Sequence, residues 1–317
     1  MTTTIIVSWR QPDNRPTRPA EPVPARQGPR TFPKCRTSVL AVLMDHRPTA
    51  AKQDITSTRT TGLLISIRDA NEWQQVRDLS IDLIDFKEPS HGALAPTDPE
   101  PWHQAAADPL RRGRLSAALG SFRFAPQLAA SLPAAFSYAK SCPAGAASTD
   151  ELATFWAETK RALADPVELV AVAYADHVSA NCPDHLAIFR RAADVGLRTW
   201  LIDTHDKSPN SSLTSCLTYQ DLAELAALAE SARATWVLAG SLTLAVAQKV
   251  VASGIRPDFF GVRGAVCDSG RDQPLVPEKA IQWTAWLATL RVSSHSDEPN
   301  LSRPAAFTEA PAKSPNS

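Results

Sequence analysis

The 317-residue chain has no net charge to spend: 33 Lys and Arg balance 33 Asp and Glu. A general nucleic-acid binder needs a basic surface to neutralise phosphates, so that class is excluded, although a local basic segment is not. Cysteine is sparse and unpaired in pattern. Cys35, Cys142, Cys182, Cys216 and Cys267 are odd in number and widely spaced, with no C-x-x-C and no histidine nearby at metal-ligand spacing. A disulfide scaffold and a zinc site are therefore not expected, and a reducing cytoplasm is. Cys142 and Cys267 fall near expected strand ends, but small buried thiols explain them, and neither is given a catalytic role. No apolar run reaches the roughly 18 residues that span a bilayer, and the opening MTTTIIVSWRQPDNRP lacks the apolar core of a signal peptide. A soluble, unexported protein with no membrane partner is the expectation.

What is present is enough apolar material for a full core, 44% of residues, framed by two biased tails. Residues 1–60 are rich in Pro, Arg and Thr without a sustained period, and cannot bury enough apolar area to offset their ordering entropy. They are expected to be a disordered extension, or residues ahead of the true start. The tail 291–317 is expected to be disordered on the same grounds. Residues 61–290 form the expected catalytic domain.

Within that domain short apolar runs alternate with amphipathic stretches of ten to fifteen residues. Strands are predicted over 63–67, 82–87, 114–120, 136–140, 168–176, 198–204, 235–241 and 258–264. Helices are predicted over 70–79, 101–109, briefly after Pro126, then 149–164, 183–195, 219–232, 242–253 and 277–290. Ser148-Thr149-Asp150-Glu151 and Cys182-Pro183-Asp184 read as helix starts, through a cap or a first-turn proline. Eight strand-then-helix units predict an α/β fold, a TIM (β/α)8 barrel with disordered N- and C-terminal extensions; a doubly wound open sheet is the alternative.

The stretch DLIDFKEPSHGALAP is the most informative. Alternation puts Asp85 and Lys87 on one face and Ile84 and Phe86 on the other, so two opposite charges point into whatever the first face encloses. A salt-bridged surface strand would explain them equally well in isolation. In a barrel, however, catalytic groups sit at the C-terminal ends of the strands, and there the chain also places Lys140, Asp176, Asp203 with Lys207, Gly240 with Ser241, and Arg263 with Gly264. Ala173 and Ala175, Trp200 and Ile202, and Phe260 and Val262 are the apolar residues expected to face the helices. A lysine in a dry pocket or beside other cations loses its proton and can attack a carbonyl, so Lys87 near Lys140 and Arg263 fits an imine-forming amine. Asp85, Asp176, Asp203 and Lys207 would orient amines or move protons. The glycine turns AGSL and GVRGAV, on the last two strands, suit a phosphate: Gly240 and Gly264 allow close backbone approach, Ser241 adds a hydroxyl and Arg263 a permanent charge. The expected partner is a small phosphorylated aldehyde.

Taken in order, DLIDFKEPSHGALAP, SAALGSF, VAVAYAD, LIDTHDKS, LAGSL and FFGVRGAVC resemble the (5-formylfuran-3-yl)methyl phosphate synthase family of methanofuran biosynthesis, over roughly residues 61–290. The resemblance implies a TIM barrel and a lyase that condenses two molecules of glyceraldehyde 3-phosphate into 4-(hydroxymethyl)-2-furancarboxaldehyde phosphate, releasing phosphate and water. It implies an imine on Lys87, Lys140 as proton acceptor, and no metal or organic cofactor. The chain departs from the family pattern in AKSCPAG after Lys140, at Ala95, and in the longer THDKSPNSS. Another aldolase or isomerase acting on a phosphorylated sugar, or a non-catalytic barrel that docks through its N-terminal extension, are the competing functions. A homo-oligomer formed through the outer helices is compatible with the sequence.

Overall fold

The computed structural model describes residues 60–208 and 211–293. The N-terminal extension, Thr60 apart, and the tail beyond Ser293 lie outside those residues. Among the described residues there are eight strands: β1 (Gly62–Ile67), β2 (Leu83–Phe86), β3 (Leu115–Ser121), β4 (Tyr138–Cys142), β5 (Glu168–Tyr174), β6 (Thr199–Asp203), β7 (Thr235–Leu238) and β8 (Phe259–Val262). Each pairs in parallel with its sequence neighbour, and β1 pairs with β8, so the sheet closes into a barrel and the open doubly wound alternative is excluded. The helices are α1 (Ala70–Val76), α2 (Pro99–Ala106), α3 (Ala125–Ala129), α4 (Thr149–Ala162), α5 (His185–Asp194), α6 (Leu213–Cys216), α7 (Tyr219–Ser231), α8 (Leu244–Ala252) and α9 (Pro277–Ser293). None is long and apolar enough to cross a membrane.

The alternation read from the strands sorts the core into two shells. Ile84, Phe86, Ala173, Ala175, Trp200, Ile202, Phe260 and Val262 all pack outward with helix residues such as Trp73, Trp102 and Trp283. Phe86 touches Trp73 and Phe136, with ring centroids 6.1 and 5.7 Å apart, so its truncation to Ala would cost about 3–5 kcal/mol. Leu64, Leu83, Val170, Val172, Leu201 and Val237 point inward and fill the lumen. Because both faces of the sheet are covered, the strands read as near-continuous apolar runs, and each inward polar residue is an exception with a cause.

Helix starts follow local chemistry. The Ser148 side chain accepts from the Glu151 amide at 3.1 Å, capping α4, and Asp184 accepts from the amides of Leu186 and Ala187, capping α5. Pro183 thus lies ahead of α5 rather than in its first turn. The tail is also shorter than predicted: α9 runs past Leu290, and the Arg291 guanidinium reaches Asp82 at 2.9 Å. Three short helical segments, α6 and the 3-10 turns Pro89–His91 and Gly264–Val266, were not predicted; they lie where loops cross the C-terminal end of the barrel.

Candidate active site

Asp85 occupies the middle of the lumen and is fully buried. Register places it level with Ser66 on β1 and Ser116 on β3, and both hydroxyls donate to its carboxylate at 2.9 Å. The Lys140 ammonium, from β4, completes the set at 2.8 Å. The two hydroxyls come from the strands that flank β2 and the ammonium from β4, one strand further round the closed sheet, and a buried pair of this kind is costly to break.

Lys87 follows two residues later on the same face. Its backbone amide donates to the Ile67 carbonyl at 2.9 Å, which continues the strand pairing and keeps the side chain inward. The amine is buried, and among the described residues no carboxylate or carbonyl lies within bonding distance of it. Burial lowers its pKa from the ordinary 10.5 to about 7; Asp203 and Asp85 oppose that shift, while Lys207 and Lys140 add to it.

Asp203 ends β6. Its carboxylate accepts from the Lys207 amine at 2.5 Å and from the Thr204 amide at 2.8 Å, and Lys207 also donates to the Thr204 hydroxyl at 3.1 Å. Burial works against ionising Asp203, yet Lys207 and Lys87 outweigh it and hold its pKa below the usual value. Lys87, Asp203 and Lys207 therefore form one electrostatic cluster above the Asp85 and Lys140 pair.

Asp176 has a different position. Its two oxygens accept from the amides of His205 and Asp206 at 2.6 and 2.7 Å, so it fastens the loop that carries Lys207. Gly240, at φ +104°, brings the end of β7 against that loop: an added Cβ would stand 3.2 Å from the Thr204 methyl and 3.1 Å from the Leu213 Cβ. Ser241, also at positive φ (53°), and Gly264 are exposed. Arg263 does not join Lys87. It faces α1, where both terminal nitrogens engage Glu72 and the remaining donors meet the carbonyls of Ser66, Arg271 and Gln273. With every donor engaged by protein, it ties the loop after β8 to α1 and offers no free guanidinium to a phosphate.

Two groups escaped the sequence reading. Arg271 donates to the Gly92 carbonyl at 3.1 Å, bridging the loops after β2 and β8 at the mouth of the barrel; burial lowers its pKa, and Asp203 and Asp272 pull the other way. A second arginine in the loop GAVCDSGRDQP was the available signal. Tyr174, level with Asp203, donates to the Cys142 thiol at 3.2 Å, and burial pushes its pKa well above 10. Among the described residues the cysteines are free thiols.

The arrangement sets a buried amine with a pKa of about 7 beside carboxylate and ammonium pairs, with a cation at the mouth, a set of groups suited to addition to a carbonyl and to proton transfer. A family model for 4-HFC-P synthase matches residues 63–284. The chain belongs to that family. Among curated relatives, the (5-formylfuran-3-yl)methyl phosphate synthase of Methanosarcina acetivorans is 31% identical over 200 residues, 60% of this chain and 83% of the relative. That of Methanococcus maripaludis is 29% identical over 216 residues, 66% and 90% of the two chains. Deoxyribose phosphate aldolase from Aeropyrum pernix aligns with a TM-score of 0.44 at 11% identity, over 71% of this chain and 91% of its own; the closed sheet, not that likeness, establishes the barrel. The family match takes in seven whole strands, all of β1 but Gly62, and all of the charge cluster.

Proposed function

We propose that this 4-HFC-P synthase family member condenses two molecules of glyceraldehyde 3-phosphate to 4-(hydroxymethyl)-2-furancarboxaldehyde phosphate through an imine on Lys87, in methanofuran-type carrier biosynthesis. The observation that carries the reading is the buried Lys87 amine, with no direct partner among the described residues and a pKa brought down to about 7. About half of such amines are neutral at neutral pH, against roughly one in several thousand for an ordinary lysine.

The Lys87 nitrogen adds to the aldehyde carbon of one triose phosphate, and loss of water from the carbinolamine leaves the imine. Removal of a proton from C2 gives an enamine that expels phosphate from C3, leaving an enol whose C3 carbon attacks the C2 carbonyl of the second triose phosphate, the latter having isomerised from aldehyde to ketone. Ring closure by the C1 hydroxyl of that ketose onto the C2 carbonyl of the first triose, with loss of two waters, completes the furan, and hydrolysis of the imine returns the free lysine. The Asp203 and Lys207 pair, 2.5 Å apart, is placed to relay protons at the imine. Lys140 accepts a proton only after passing its own to Asp85, 2.8 Å away, so its role as acceptor is coupled to that pair. Arg271, rather than Arg263, supplies the cation for a substrate phosphate, with backbone N–H groups near Gly240 and Ser241.

The test is reductive trapping. Glyceraldehyde 3-phosphate and borohydride should add one triose phosphate to Lys87, located by peptide mass mapping, and the unreduced reaction should develop the ultraviolet absorbance of a furan aldehyde. Adduct confined to any other lysine would overturn the mechanism, and an adduct on Lys87 without the chromophore would point to a different phosphosugar aldolase.

A further inference from the structure

The loop from β5 to α5 carries a cluster that the proposed reaction does not use. Asp184 caps α5 with one oxygen, Oδ1, which accepts from Leu186 and Ala187. Its other oxygen, Oδ2, lies 3.3 Å from the Nδ1 of His185 and 4.0 Å from the Nδ1 of His177. Neither ring nitrogen has a hydrogen-bond partner, although both atoms are shielded from solvent, and His185 as a residue is only 9% exposed. A buried imidazole nitrogen left unmatched is costly unless something binds it. One donor atom from each of the three side chains lies within 4.8 Å of the other two. A tetrahedral zinc ion, with bonds of about 2.0–2.2 Å, needs donors about 3.3 Å apart; the Asp184 to His185 edge already has that length, and His177, 4.0 Å from Asp184 and within 4.8 Å of His185, has to move inward to complete it.

We propose that His177, Asp184 and His185 form a binding site for a divalent transition ion, zinc by preference, which pins the β5 loop to the start of α5. Two imidazoles and one carboxylate make a borderline-soft donor set that suits zinc and disfavours magnesium or calcium, which take oxygen ligands. His177 and Asp184 are the accessible members, their side chains 31% and 45% exposed, and leave a side open for the ion to enter and for a water to take the fourth position. The consequence for the barrel is local: His177 adjoins Asp176, the residue that fastens the Lys207 loop, so an ion here stiffens one edge of the mouth without entering it. The competing reading is a histidine and aspartate pair with no ion, which predicts that zinc does nothing specific.

The full chain, stripped with chelator and dialysed, is titrated with Zn2+ against a chromogenic chelator and melted with and without the ion, with Co2+ as a spectroscopic probe of tetrahedral nitrogen and oxygen ligation. Expected are one ion per chain at this site, a raised melting temperature, and loss of both in His177→Ala, with affinity falling by more than the roughly tenfold that even outer-sphere partners cause. Asp184→Asn keeps an equivalent helix cap while removing the anionic ligand, so it should weaken zinc binding with little change in the metal-free melting temperature. His177→Ala, on the exposed side of the site, tests the proposal even if His185→Gln does not fold. Unchanged affinity and stoichiometry in His177→Ala and Asp184→Asn, or no zinc-dependent rise in melting temperature in the parent chain, would overturn it. Borohydride trapping on Lys87 is measured in parallel and is expected to be unaffected by the metal-free variants, which separates a failure of this site from a failure of the imine reading.

Discussion

Replacing Lys87 with methionine should abolish turnover and at the same time make the protein more stable at neutral pH. The amine ionises at about 7 in the folded chain and at 10.5 ordinarily. Between those values the unfolded chain binds more protons at this site than the folded chain, so folding stability rises with pH across that window and is lowest below it. For such a site the penalty at pH 7 is about 4 kcal/mol, falling to about 1.5 kcal/mol at pH 9.5, taking 1.36 kcal/mol per pKa unit. Methionine has a similar shape and no charge to desolvate, so the variant should recover much of that difference, less what its imperfect packing costs. The assay is urea unfolding of parent and variant at both pH values, with the slope checked for constancy. Other lysines and tyrosines titrate in both proteins and cancel in the comparison. The expected result is a variant more stable by up to about 4 kcal/mol at pH 7, with the gap shrinking by more than half at pH 9.5. A variant less stable than the parent at pH 7, or a gap that does not change with pH, would refute the claim that the fold holds this amine against its ordinary protonation.

Asp85→Asn should cost about 3–5 kcal/mol of stability, because it leaves the Lys140 ammonium charged and buried against a neutral amide; the shift in urea midpoint measures it. The two arginines of the β8 loop should separate cleanly. Arg263→Ala strips the buried Glu72 of its bidentate partner, leaving it Arg68 at 3.5 Å, and should lower the melting temperature strongly, with the apparent Michaelis constant for the triose phosphate near its parent value in whatever folds. Arg271→Ala should leave stability within about 1 kcal/mol and raise that constant at least about tenfold, since it removes a charge-assisted contact rather than a buried pair. Steady-state kinetics beside thermal melts on both variants would expose a reversal of those roles.

The barrel was legible because its strands are short apolar runs of even spacing, and because Ile84, Phe86, Trp200 and Ile202 alternate with inward residues as the pleat requires. Asp85 and Lys87 stand out for the same reason: two charges on the buried face of an otherwise apolar run. Alternation stops informing at the strand's last residue. Arg263 comes one position past β8, where the backbone turns (φ −135°, ψ −71°) and sends the side chain to Glu72 instead of the lumen. Arg271 reaches the mouth from a loop with no period at all, and His177 meets Asp184 and His185 only because the chain between them folds back in turns. Asp176 was placed at the correct end of the barrel, but only the structure shows both its oxygens spent on the amides of the next loop.

The state of Lys87 follows from how the carboxylates around it are shared. Four charged groups influence it, two carboxylates and two ammonium groups, so counting charges alone predicts almost no shift. Geometry breaks that balance. Asp85 is already held by Lys140 and two serine hydroxyls, and Asp203 by Lys207 and the Thr204 amide, so neither carboxylate bonds to Lys87. Each pair then acts on the amine as little more than a dipole, and the uncompensated effect that remains is desolvation, the largest of the causes acting on it. The two ion pairs thus have a purpose that neither has alone: by satisfying each other they deny Lys87 a counter-ion, and a lysine denied both water and a counter-ion gives up its proton near neutrality. The same logic explains why a single acid or base at this depth would not serve. An unpaired aspartate in place of either pair would bind the amine, restore its charge and remove the nucleophile that the proposed imine chemistry requires.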